Sequence, residues 1–595
     1  MPADTIPHRF MKQAEQRPDV NAYYVREDGK WLPTTWATYV SEVRQAARAM
    51  ITLGLQPGQS VCILGFNRPE WTIFDFAAMA AGGVPAGIYT TCSADEVRYI
   101  IDHAEAGIVL LEDASQWAKV KSERDAGRLP KLEHVVMMKG TRIEDPMVLT
   151  WDAFMAKGDA TEASALEDRL AKLDPQAVAT LIYTSGTTGP PKGVMLTHEN
   201  LAWTASTAVD MVGMNEDGRM VSYLPLSHIA EQMFTLHGPA SSGYAIYFAE
   251  SLERLLDNMQ EARPTLLFAV PRVWEKMHAK VSSAVKDATG VKAKLLHWSM
   301  GVGREVCDVR NAGGTPTGLL ALKYKIAKKL IFSKLKPKLG LDAARFGISG
   351  AAPIAKEILE FFAGLDIVIH EVYGQSEGSG PTTFNRPGLT RYGTVGPAIP
   401  GCEVRIADDG EICLRGPNVF KGYFKDPAAT ADTLIDGWLH SGDLGTIDDQ
   451  GFLSITGRKK DIIITAGGKN IAPANIESAL KNLPLVSQAV VIGDRRKFLS
   501  ALVALDPEAA EAWAKEHGVP AESLHSNPEV IAEIQKGIDS EVNPLFARVE
   551  HIRKFKVLHR ELSVDEGELT PTLKVKRRIV DENFASEIEA IYADA

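Results

Sequence analysis

Residues 183–193 read Tyr183-Thr184-Ser185-Gly186-Thr187-Thr188-Gly189-Pro190-Pro191-Lys192-Gly193, directly after an apolar, strand-like run at 178–182. This stretch combines three glycines, four Ser or Thr hydroxyls and one lysine within eleven residues. Glycines let backbone N–H groups approach a ligand closely, hydroxyls donate hydrogen bonds to nonbridging oxygens, and a lysine offsets negative charge. The stretch therefore predicts a strand followed by a loop that binds a polyphosphate.

The loop differs from the phosphate loop of P-loop kinases and ATPases. Walker A requires Gly immediately before its Lys and Ser or Thr immediately after it, whereas Pro191 and Gly193 flank Lys192 here. An ordinary solvated Gly/Thr turn is also disfavoured, because about nine fixed residues at roughly 5–7% each give a chance match of about 10⁻¹¹ per starting position. The pattern is specific, and it belongs to another nucleotide-binding class.

Strand-like apolar runs alternate with helix-like segments between about residues 35 and 400. The runs lie at 60–66, 107–112, 178–186, 265–271, 345–350 and 366–374. Such alternation predicts parallel α/β layers. From about residue 400 the pattern changes to β-hairpins at 402–416 and 444–457, where Asp- and Gly-containing turns separate strand-like runs.

A charged string at 458–461 precedes a further mixture of strand-like and helix-like segments, which places a domain boundary at about 458–462. We therefore expect an α/β fold with two domains. The large multi-subdomain N-terminal domain, 1–459, combines layered α/β structure with a β-rich module, and the small C-terminal domain, 460–595, is α+β.

The composition is that of a globular protein, with 45% hydrophobic and 24% charged residues. A formal net charge of −11 argues against broad electrostatic binding of nucleic acid. The five cysteines are scattered without CxxC spacing, which favours reduced core residues over disulfides or a zinc site. Residues 1–20 lack the apolar core of a signal peptide, and no apolar run is long enough to span a bilayer. We expect a cytoplasmic protein without a nucleic-acid partner.

Four further motif regions accompany the phosphate loop in a fixed order. They are SGAAP (349–353), YGQSEG (373–378), GWLHSGD (437–443) with TGRKKD (456–461), and TPTLKVKRR (570–578). Through them nearly the whole chain resembles the adenylate-forming superfamily of acyl-CoA synthetases, peptide-synthetase adenylation domains and beetle luciferases. The resemblance implies that the protein uses ATP, Mg²⁺ and coenzyme A in two half-reactions. A carboxylate attacks the α-phosphorus of ATP to give acyl-AMP and pyrophosphate, and the CoA thiol then displaces AMP.

The resemblance also implies the nucleotide-binding residues. They are Thr184, Ser185, Gly186, Thr187, Thr188, Gly189, Lys192, Gly350, Ala351, Ala352, Glu371, Tyr373, Gly374, Gln375, Ser376, Asp443 and Arg458. The small residues at 350–352 can let adenine lie against the backbone, and Tyr373 supplies a ring to stack on the base. Asp443 can accept the ribose hydroxyls together with Arg458. Glu377, a hard oxygen donor, is implied as the Mg²⁺ ligand with Thr184 as its partner.

The last motif implies a catalytic lysine that stabilises charge on the pentavalent phosphorus. Alignment of TPTLKVKRR to the family's Thr-x-x-Gly-Lys pattern points to Lys574, with Lys576 as the alternative. Leu573 replaces the usual glycine and makes this the weakest of the matches. Lys192 and His228 complete the implied catalytic set.

The family's C-terminal domain rotates between the half-reactions, so the resemblance implies a mobile domain here. Its hinge lies two residues after the ribose-binding arginine, at Lys460. Gly468 matches the glycine that lets pantetheine pass close to the backbone, with Gly467 as the alternative. Lys469 lies on the same implied CoA path.

Other segments indicate which acid is activated. Residues 223–232, 270–276, 466–477 and 492–503 resemble long-chain fatty-acid ligases, particularly the bubblegum-like branch. His228 matches a position that borders the acyl site. The alternatives are a ligase for medium-chain or aromatic acids and a non-catalytic acyl- or nucleotide-binding protein.

A basic and apolar segment at 321–338 bears on the source of a long-chain substrate. Lysines interleaved with Leu, Ile and Phe are typical of an interfacial helix, which predicts a peripheral contact with the inner face of a membrane. The alternative is an ordinary amphipathic helix whose apolar stripe joins the core. The sequence leaves the oligomeric state open.

Overall fold

A computed structural model describes residues 4–184, 189–570 and 572–593. The chain has mixed α/β structure with a large N-terminal domain and a smaller C-terminal domain, which confirms the predicted fold class. The predicted site residues Ser185, Gly186, Thr187 and Thr188 lie outside the described residues.

The phosphate loop joins two strands of the largest sheet that the structure describes. In spatial order the strands are Gly422–Tyr423, Lys192–Thr197, Val178–Thr184, Val84–Ile88, Ser60–Leu64, Ile108–Leu111, His134–Met137 and Val148–Leu149. From the third strand onward neighbours are parallel, whereas the second pairs antiparallel on both sides. The fourth and fifth strands are fully buried, as expected for a parallel layer covered on both faces.

Two smaller sheets complete the α/β part. One contains Arg219–Ser222, Ala245–Phe248, Asn21–Glu27 and Lys30–Thr35, and the other contains Leu266–Ala269, Phe346–Ser349, Ile369–Gln375 and Gly380–Phe384. In each sheet the first three strands are parallel and the fourth is antiparallel to the third. The hairpin at residues 21–35 was not predicted from the sequence.

Helices cover these sheets, and many begin at a residue that satisfies their free N–H groups. For example, Ser93 and Glu96 form a capping box at the start of Ala94–Ala104. The α-helices of the N-terminal domain are Ile6–Gln16, Trp36–Thr52, Pro69–Ala80, Ala94–Ala104, Ala114–Asp125, Trp151–Lys157, Ala163–Leu170, His198–Val212, Ile229–Gln232, Gly238–Ser242, Leu255–Ala262, Pro271–Lys286, Gly290–Asn311, Gly318–Ala327, Ser333–Leu335, Lys356–Gly364 and Pro427–Thr433.

The helix after the phosphate-loop hairpin ties that hairpin to the β-rich module. It spans His198–Val212 and begins at Thr197, whose hydroxyl accepts a hydrogen bond from the Asn200 N–H. The Asn200 side chain donates to two backbone carbonyls of the 417–419 turn at 2.7 and 3.0 Å. These bonds help to hold Tyr423 in its strand beside the phosphate loop.

The predicted β-hairpins form an antiparallel sheet. Its strands are Glu403–Ile406, Glu411–Arg415, Trp438–Ile447, Leu434–Ile435 and Leu453–Arg458. Asp443 and Arg458 are direct partners in its register. The sheet therefore brings together the two residues predicted to bind ribose.

The C-terminal domain has its own apolar core. Its strands are Val486–Ile492, Leu499–Leu505 and Ile552–Val557, with a short hairpin of Ile463–Ile464 and Asn470–Ile471. Its α-helices are Pro473–Lys481, Pro507–His517, Pro528–Gly537, Arg577–Asn583 and Ala585–Tyr592. Among the described residues, its two clusters of buried apolar side chains include none from the N-terminal domain.

Among the described residues, two ion pairs join the domains. The Arg272 guanidinium lies 2.7 Å from the Asp506 carboxylate, and the Lys576 ammonium lies 4.0 Å from Glu96. Both pairs link residues that are far apart along the chain, so they favour this relative orientation of the domains.

Over the described ranges, no helix combines the length and apolar composition needed to cross a membrane. Residues 76–89, the most apolar stretch near the N-terminus, form the end of helix Pro69–Ala80 and the buried strand Val84–Ile88. This run is part of the core.

Candidate active site

The phosphate loop is held at both ends by a β-hairpin. Thr184 and Lys192 are direct partners across the hairpin, and Gly189 is exposed in the loop between them. Lys192 is also exposed, and its ammonium lies 4.8 Å from the centre of the Tyr423 ring. This cation–π contact orients the ammonium and leaves it accessible to an anionic ligand.

Tyr423 also contacts the predicted metal ligand. Its hydroxyl donates a hydrogen bond of 2.8 Å to Glu377 Oε1, and Glu377 is half-buried on the turn Ser376–Gly378. In the part of the chain that the structure describes, no basic side chain forms an ion pair with Glu377, so its second oxygen is left for a cation. A carboxylate oxygen and the hydroxyl of Thr184, whose hairpin partner Lys192 contacts the Tyr423 ring, are ligands that Mg²⁺ prefers. The residues therefore fit the predicted Mg²⁺ site.

A buried carboxylate links the residues predicted for the base and the ribose. Asp443 accepts one hydrogen bond from the Tyr373 hydroxyl and one from Arg458 Nε, each of 2.8 Å and each on a different carboxylate oxygen. Tyr373 and Asp443 are buried, whereas 47% of the Arg458 side chain is exposed. Each oxygen of Asp443 keeps a second lone pair, so the carboxylate can still accept both ribose hydroxyls.

The predicted adenine loop presents small residues. A Cβ at Gly350 would lie 2.6 Å from the Val372 side chain, so only glycine fits there without movement. Ala351 has a φ of +71°, and both Ala351 and Ala352 are exposed. The loop thus offers methyl groups and open backbone, a surface that suits a flat base.

Backbone packing shapes the segment after Tyr373. A Cβ at Gly374 would lie 1.7 Å from the Gly380 carbonyl oxygen, because the chain turns there into an antiparallel strand. Gln375 is half-buried and Ser376 is buried beside it. The turn would therefore require glycine at position 374 even without a nucleotide.

The Glu371 backbone pairs with Ser349 beside the adenine loop, but its side chain bonds to another segment. Its buried carboxyl accepts a hydrogen bond of 3.0 Å from the Gly393 N–H. Burial raises the pKa of this carboxyl to about 8, so it is protonated at neutral pH. In this structure Glu371 fixes the 393 loop.

We expect Glu371→Gln to stabilise the protein at alkaline pH. The folded carboxyl has a pKa of about 8, above the unfolded value of about 4.3, so the folded state binds more protons and wild-type stability falls as the pH rises between these values. Glutamine can accept the same hydrogen bond and has no proton to lose. The free energy of unfolding of the variant, relative to wild type, should rise from pH 5 to pH 8 by up to about 1.4 kcal/mol per pH unit and then stay constant. Unfolding temperatures measured across this pH range follow the difference. Parallel stability curves would contradict a buried, titrating Glu371.

His228 is oriented by its own turn. Its Nδ1 accepts a hydrogen bond of 3.1 Å from the Ala230 N–H at the start of helix Ile229–Gln232, which assigns the proton to Nε2. Burial, and then the positive charge of Lys574, lower its pKa to about 4. His228 is therefore a neutral hydrogen-bond donor at pH 7.

Lys574 reaches this site from the C-terminal domain. The Thr570 N–H donates to the Lys574 carbonyl at 2.8 Å, and the Lys574 N–H donates to the Thr570 hydroxyl at 3.0 Å, which closes the lysine's loop. Burial and the charge of Arg458 lower the pKa of Lys574, while Asp443 and Glu377 act in the opposite direction. Lys574 thus lies among the residues predicted to bind ribose and metal. Part of Lys574 stays accessible to solvent, and hence to a ligand, although protein atoms surround its ammonium.

The surroundings of Lys574 bear on two features of the motif: the alternative lysine Lys576, and Leu573 in place of the family's glycine. Lys576, the alternative, lies against Glu96. Leu573, which replaces the family's glycine, has a φ of +60° in the left-handed region and is 67% exposed. Leucine keeps the backbone shape that glycine would allow, at a cost of about 1–2 kcal/mol. The departure at Leu573 therefore preserves the left-handed turn that precedes Lys574.

The predicted hinge follows two anchored residues. Arg458 binds Asp443, and the Lys459 ammonium lies 2.5 Å from Asp409 and 3.0 Å from Glu411. Lys460 comes next, exposed in the short turn Lys459–Asp461.

The residues predicted for the CoA path lie on an exposed turn of the C-terminal domain. Gly468 has a φ of +72°, and a Cβ there or at Gly467 would meet no atom closer than 3.9 Å. Lys469 is exposed, and its N–H donates to the Thr465 hydroxyl. The turn itself therefore favours glycine at position 468, independently of any ligand.

The sequence reasoning missed three residues that position the site. Tyr423 orients Glu377 and Lys192, as described above. Asn67 donates to the Ser222 hydroxyl at 2.8 Å, and the buried Glu231 accepts from the same hydroxyl at 2.8 Å, which supports the loop before His228. Asn67 and Tyr423 lie outside the quoted motifs. Glu231 lies in segment 223–232, and an isolated acidic residue close to His228 is the sequence feature that could have pointed to it.

Comparisons with known proteins agree with these features. A sequence model of AMP-binding enzymes matches residues 10–424, and a model of the AMP-binding enzyme C-terminal domain matches residues 460–595. The long-chain-fatty-acid–CoA ligase ACSBG2 of Xenopus laevis is 38% identical over 100% of this chain and 84% of that protein. The long-chain-fatty-acid–CoA ligase FadD15 of Mycobacterium bovis is also 38% identical, over 99% and 97% of the two chains. The crystal structure of the anthranilate CoA ligase AuaEII with anthranoyl-AMP has a TM-score of 0.71 and 20% identity, with 97% of each chain covered. The protein therefore belongs to the AMP-binding enzyme family, whose adenylate-forming motifs it carries in order.

Proposed function

We propose that the protein is an AMP-forming long-chain fatty-acid–CoA ligase. The 38% identity over full length to two long-chain-fatty-acid–CoA ligases supports the substrate class. The position of Lys574 carries the proposed chemistry, because this C-terminal residue lies among Asp443, Arg458 and Glu377 of the N-terminal domain. One cation thus faces both the ribose side and the metal side of the nucleotide site.

In the first half-reaction the N-terminal domain positions ATP. Asp443 accepts the ribose hydroxyls while Tyr373 and Arg458 fix its carboxylate, and Lys192 offsets phosphate charge. Glu377 and Thr184 would hold Mg²⁺, which would supply charge neutralisation on the phosphates.

The C-terminal domain then contributes to the transition state. A fatty-acid carboxylate oxygen forms a bond to the α-phosphorus, and the bond to the pyrophosphate oxygen breaks. Lys574 stabilises the negative charge that develops on the pentavalent phosphorus. His228, through Nε2–H, donates to the second carboxylate oxygen and orients it. The products are acyl-AMP and pyrophosphate.

The second half-reaction uses the other orientation of the C-terminal domain. The CoA turn, 466–469, is exposed here, and the hydrogen bonds described for it stay within its own domain. A rotation about Lys460 breaks the Arg272–Asp506 pair, withdraws Lys574 and brings the turn to acyl-AMP. The CoA sulfur then bonds to the acyl carbon, and AMP leaves. The domains that rotate are 1–459 and 460–595, and family matches that end at 424 and resume at 460 support this boundary.

We place this activity in the cytoplasm, with a peripheral membrane contact through residues 321–338 that gives access to fatty acids. The basic and apolar composition of that segment supports the contact.

A panel of acids tests the proposed activity. Pyrophosphate release should require an acid, and AMP release should require CoA as well. From acetate to oleate, kcat/KM should rise by about fourfold per methylene, or about 0.8 kcal/mol, until the pocket ends. Reaction with acetate or benzoate alone would contradict the long-chain assignment, and a maximum at medium chain length would support the second candidate. Binding of nucleotide or acyl ligand without turnover of any acid would identify a non-catalytic protein.

A further inference from the structure

Positive charge is concentrated in one segment of a protein that is acidic overall. Residues 271–340 contain 15 Lys and Arg against 4 Asp and Glu, whereas the whole chain contains 65 against 76. Most of this segment consists of helices Pro271–Lys286, Gly290–Asn311 and Gly318–Ala327, with further helical turns to Leu339. The segment is thus a basic helical region on an acidic protein.

The helix that starts at Gly318 has two apolar sides. One side packs against the preceding helix through Leu320, Tyr324, Ala327 and Ile331. The other side is exposed to 66, 56, 43 and 39% at Leu319, Leu322, Ile326 and Leu330, respectively. Spacings of three and four residues place these four on one side of the helix. An ordinary amphipathic helix buries its apolar stripe, so this second stripe needs another explanation.

A buried carboxylate fixes which side of this helix is exposed. Asp366 accepts hydrogen bonds from Arg310 at 2.8 Å, from the Tyr324 hydroxyl at 3.1 Å and from Lys336 at 2.7 Å. Tyr324 therefore holds the helix in one rotation about its axis. Lys336 is committed to this network and is not available to a partner.

Five other lysines lie on this helix or on the helical turns that follow it. They are exposed, and the structure describes no ion pair for them: Lys325, Lys328, Lys329, Lys334 and Lys338. On the preceding helix, Trp298 and Val291 are also 37 and 84% exposed. Exposed aromatic and branched apolar side chains together with lysines in one helical region are characteristic of an interfacial segment.

We infer that this lysine-rich face, formed by Leu319, Leu322, Ile326 and Leu330 with the five lysines, docks on an anionic lipid bilayer. The apolar stripe enters the boundary between headgroups and acyl chains, and the lysines face the phosphates. Charge complementarity selects this occupant, because a second copy of the chain would place lysines against lysines. The inference rests on the proposed function only in taking the bilayer as the source of fatty acid.

Vesicle binding of the full chain tests the inference. Wild type should bind phosphatidylcholine vesicles that contain about 30% phosphatidylglycerol, and should bind pure phosphatidylcholine much more weakly. Replacing Lys325, Lys328 and Lys329 by Gln should lower the partition coefficient about 100-fold at low salt. Replacing Leu322, Ile326 and Leu330 by Gln should lower it at least tenfold.

A matched control separates this face from general charge. Lys481, Lys515 and Lys536 are exposed lysines of the C-terminal domain, and their replacement by Gln changes the net charge equally. That variant should bind vesicles like wild type, and all variants should activate fatty acid dissolved in buffer at wild-type rates. Equal loss in the control, or equal binding by all proteins, would overturn the inference. So would a dimer of wild type that the apolar-stripe variant dissociates.

The two proposals can fail separately. Vesicle binding is measured without turnover, so a protein with no ligase activity but with binding that depends on the lysine-rich face would refute only the proposed function. A ligase that binds no anionic vesicle would refute the docking face and the membrane contact through residues 321–338, but not the ligase activity.

Discussion

Lys574→Ala should lower the rate of acyl-AMP formation by about 10²–10³-fold, whereas thioester formation from supplied acyl-AMP should remain close to wild type. The ammonium lies among Asp443, Arg458 and Glu377 in the present orientation of the domains, and it carries charge needed only when the α-phosphorus is attacked. Rapid-quench measurement of acyl-AMP and acyl-CoA separates the two steps. Equal losses in both half-reactions would contradict the alternating-domain mechanism.

Lys576→Ala is the matched control, because Lys576 has the same charge two residues away and lies against Glu96. Its first half-reaction should change only a few-fold, through the weakened contact between the domains. A larger loss for Lys576→Ala than for Lys574→Ala would reassign the catalytic lysine.

The reciprocal defect is expected from bulk in the CoA turn. Gly468→Leu should let acyl-AMP accumulate, but its φ of +72° also makes any side chain strained there. Gly467→Leu adds the same bulk next to it, where the φ is ordinary. If bulk blocks pantetheine, both variants should lose thioester formation, whereas a defect in Gly468→Leu alone with a lowered unfolding temperature would indicate strain.

Glu377→Ala should lower acyl-AMP formation by about 10³-fold or more, because Mg²⁺ loses a hard ligand while the phosphates keep their charge. Glu377→Gln should retain some activity that requires much higher Mg²⁺. The measurement is the rate of pyrophosphate release against Mg²⁺ concentration at fixed ATP. Near-wild-type rates at ordinary Mg²⁺ would remove Glu377 from the metal site.

Tyr423→Phe provides a graded comparison. It removes one hydrogen bond of 2.8 Å to Glu377 and keeps the ring beside Lys192. A net contribution of about 1 kcal/mol corresponds to a loss of roughly five- to tenfold, together with a raised Mg²⁺ requirement. An unchanged Mg²⁺ dependence would mean that the tyrosine does not orient the carboxylate.

The sequence predicts the strands that carry the motifs, because their apolar runs and glycine-containing ends are local signals. The strand predicted at 345–350 is observed at Phe346–Ser349, and the hairpin after 444 pairs Asp443 with Arg458. The hairpin 21–35 was missed because Lys30–Thr35 has no buried residue and lies at a sheet edge, where burial imposes little pattern.

Contacts between distant segments were beyond the reach of motif reasoning. Tyr423 meets Glu377 only because strand Gly422–Tyr423 crosses from the β-rich module to the large sheet. Glu371 illustrates the opposite case, since it lies two residues before Tyr373 but bonds to the 393 loop. Strand alternation would place residues 371 and 373 on the same face, so the local pattern does not predict that Glu371 bonds to the 393 loop.

The anchoring of Arg458 and Lys459 determines how accurately the C-terminal domain can return after each cycle. Both side chains are tied to carboxylates of the N-terminal domain, so torsional freedom starts abruptly at Lys460. Because the residues before Lys460 are fixed, the domain rotates through a well-defined angle. A small error in that angle would displace residues far from Lys460 by a larger distance. Since a misplacement of about 1 Å can cost about 10²-fold in rate, we expect loosening of Asp409 or Glu411 to degrade the placement of Lys574. These carboxylates therefore fix the position from which the C-terminal domain rotates.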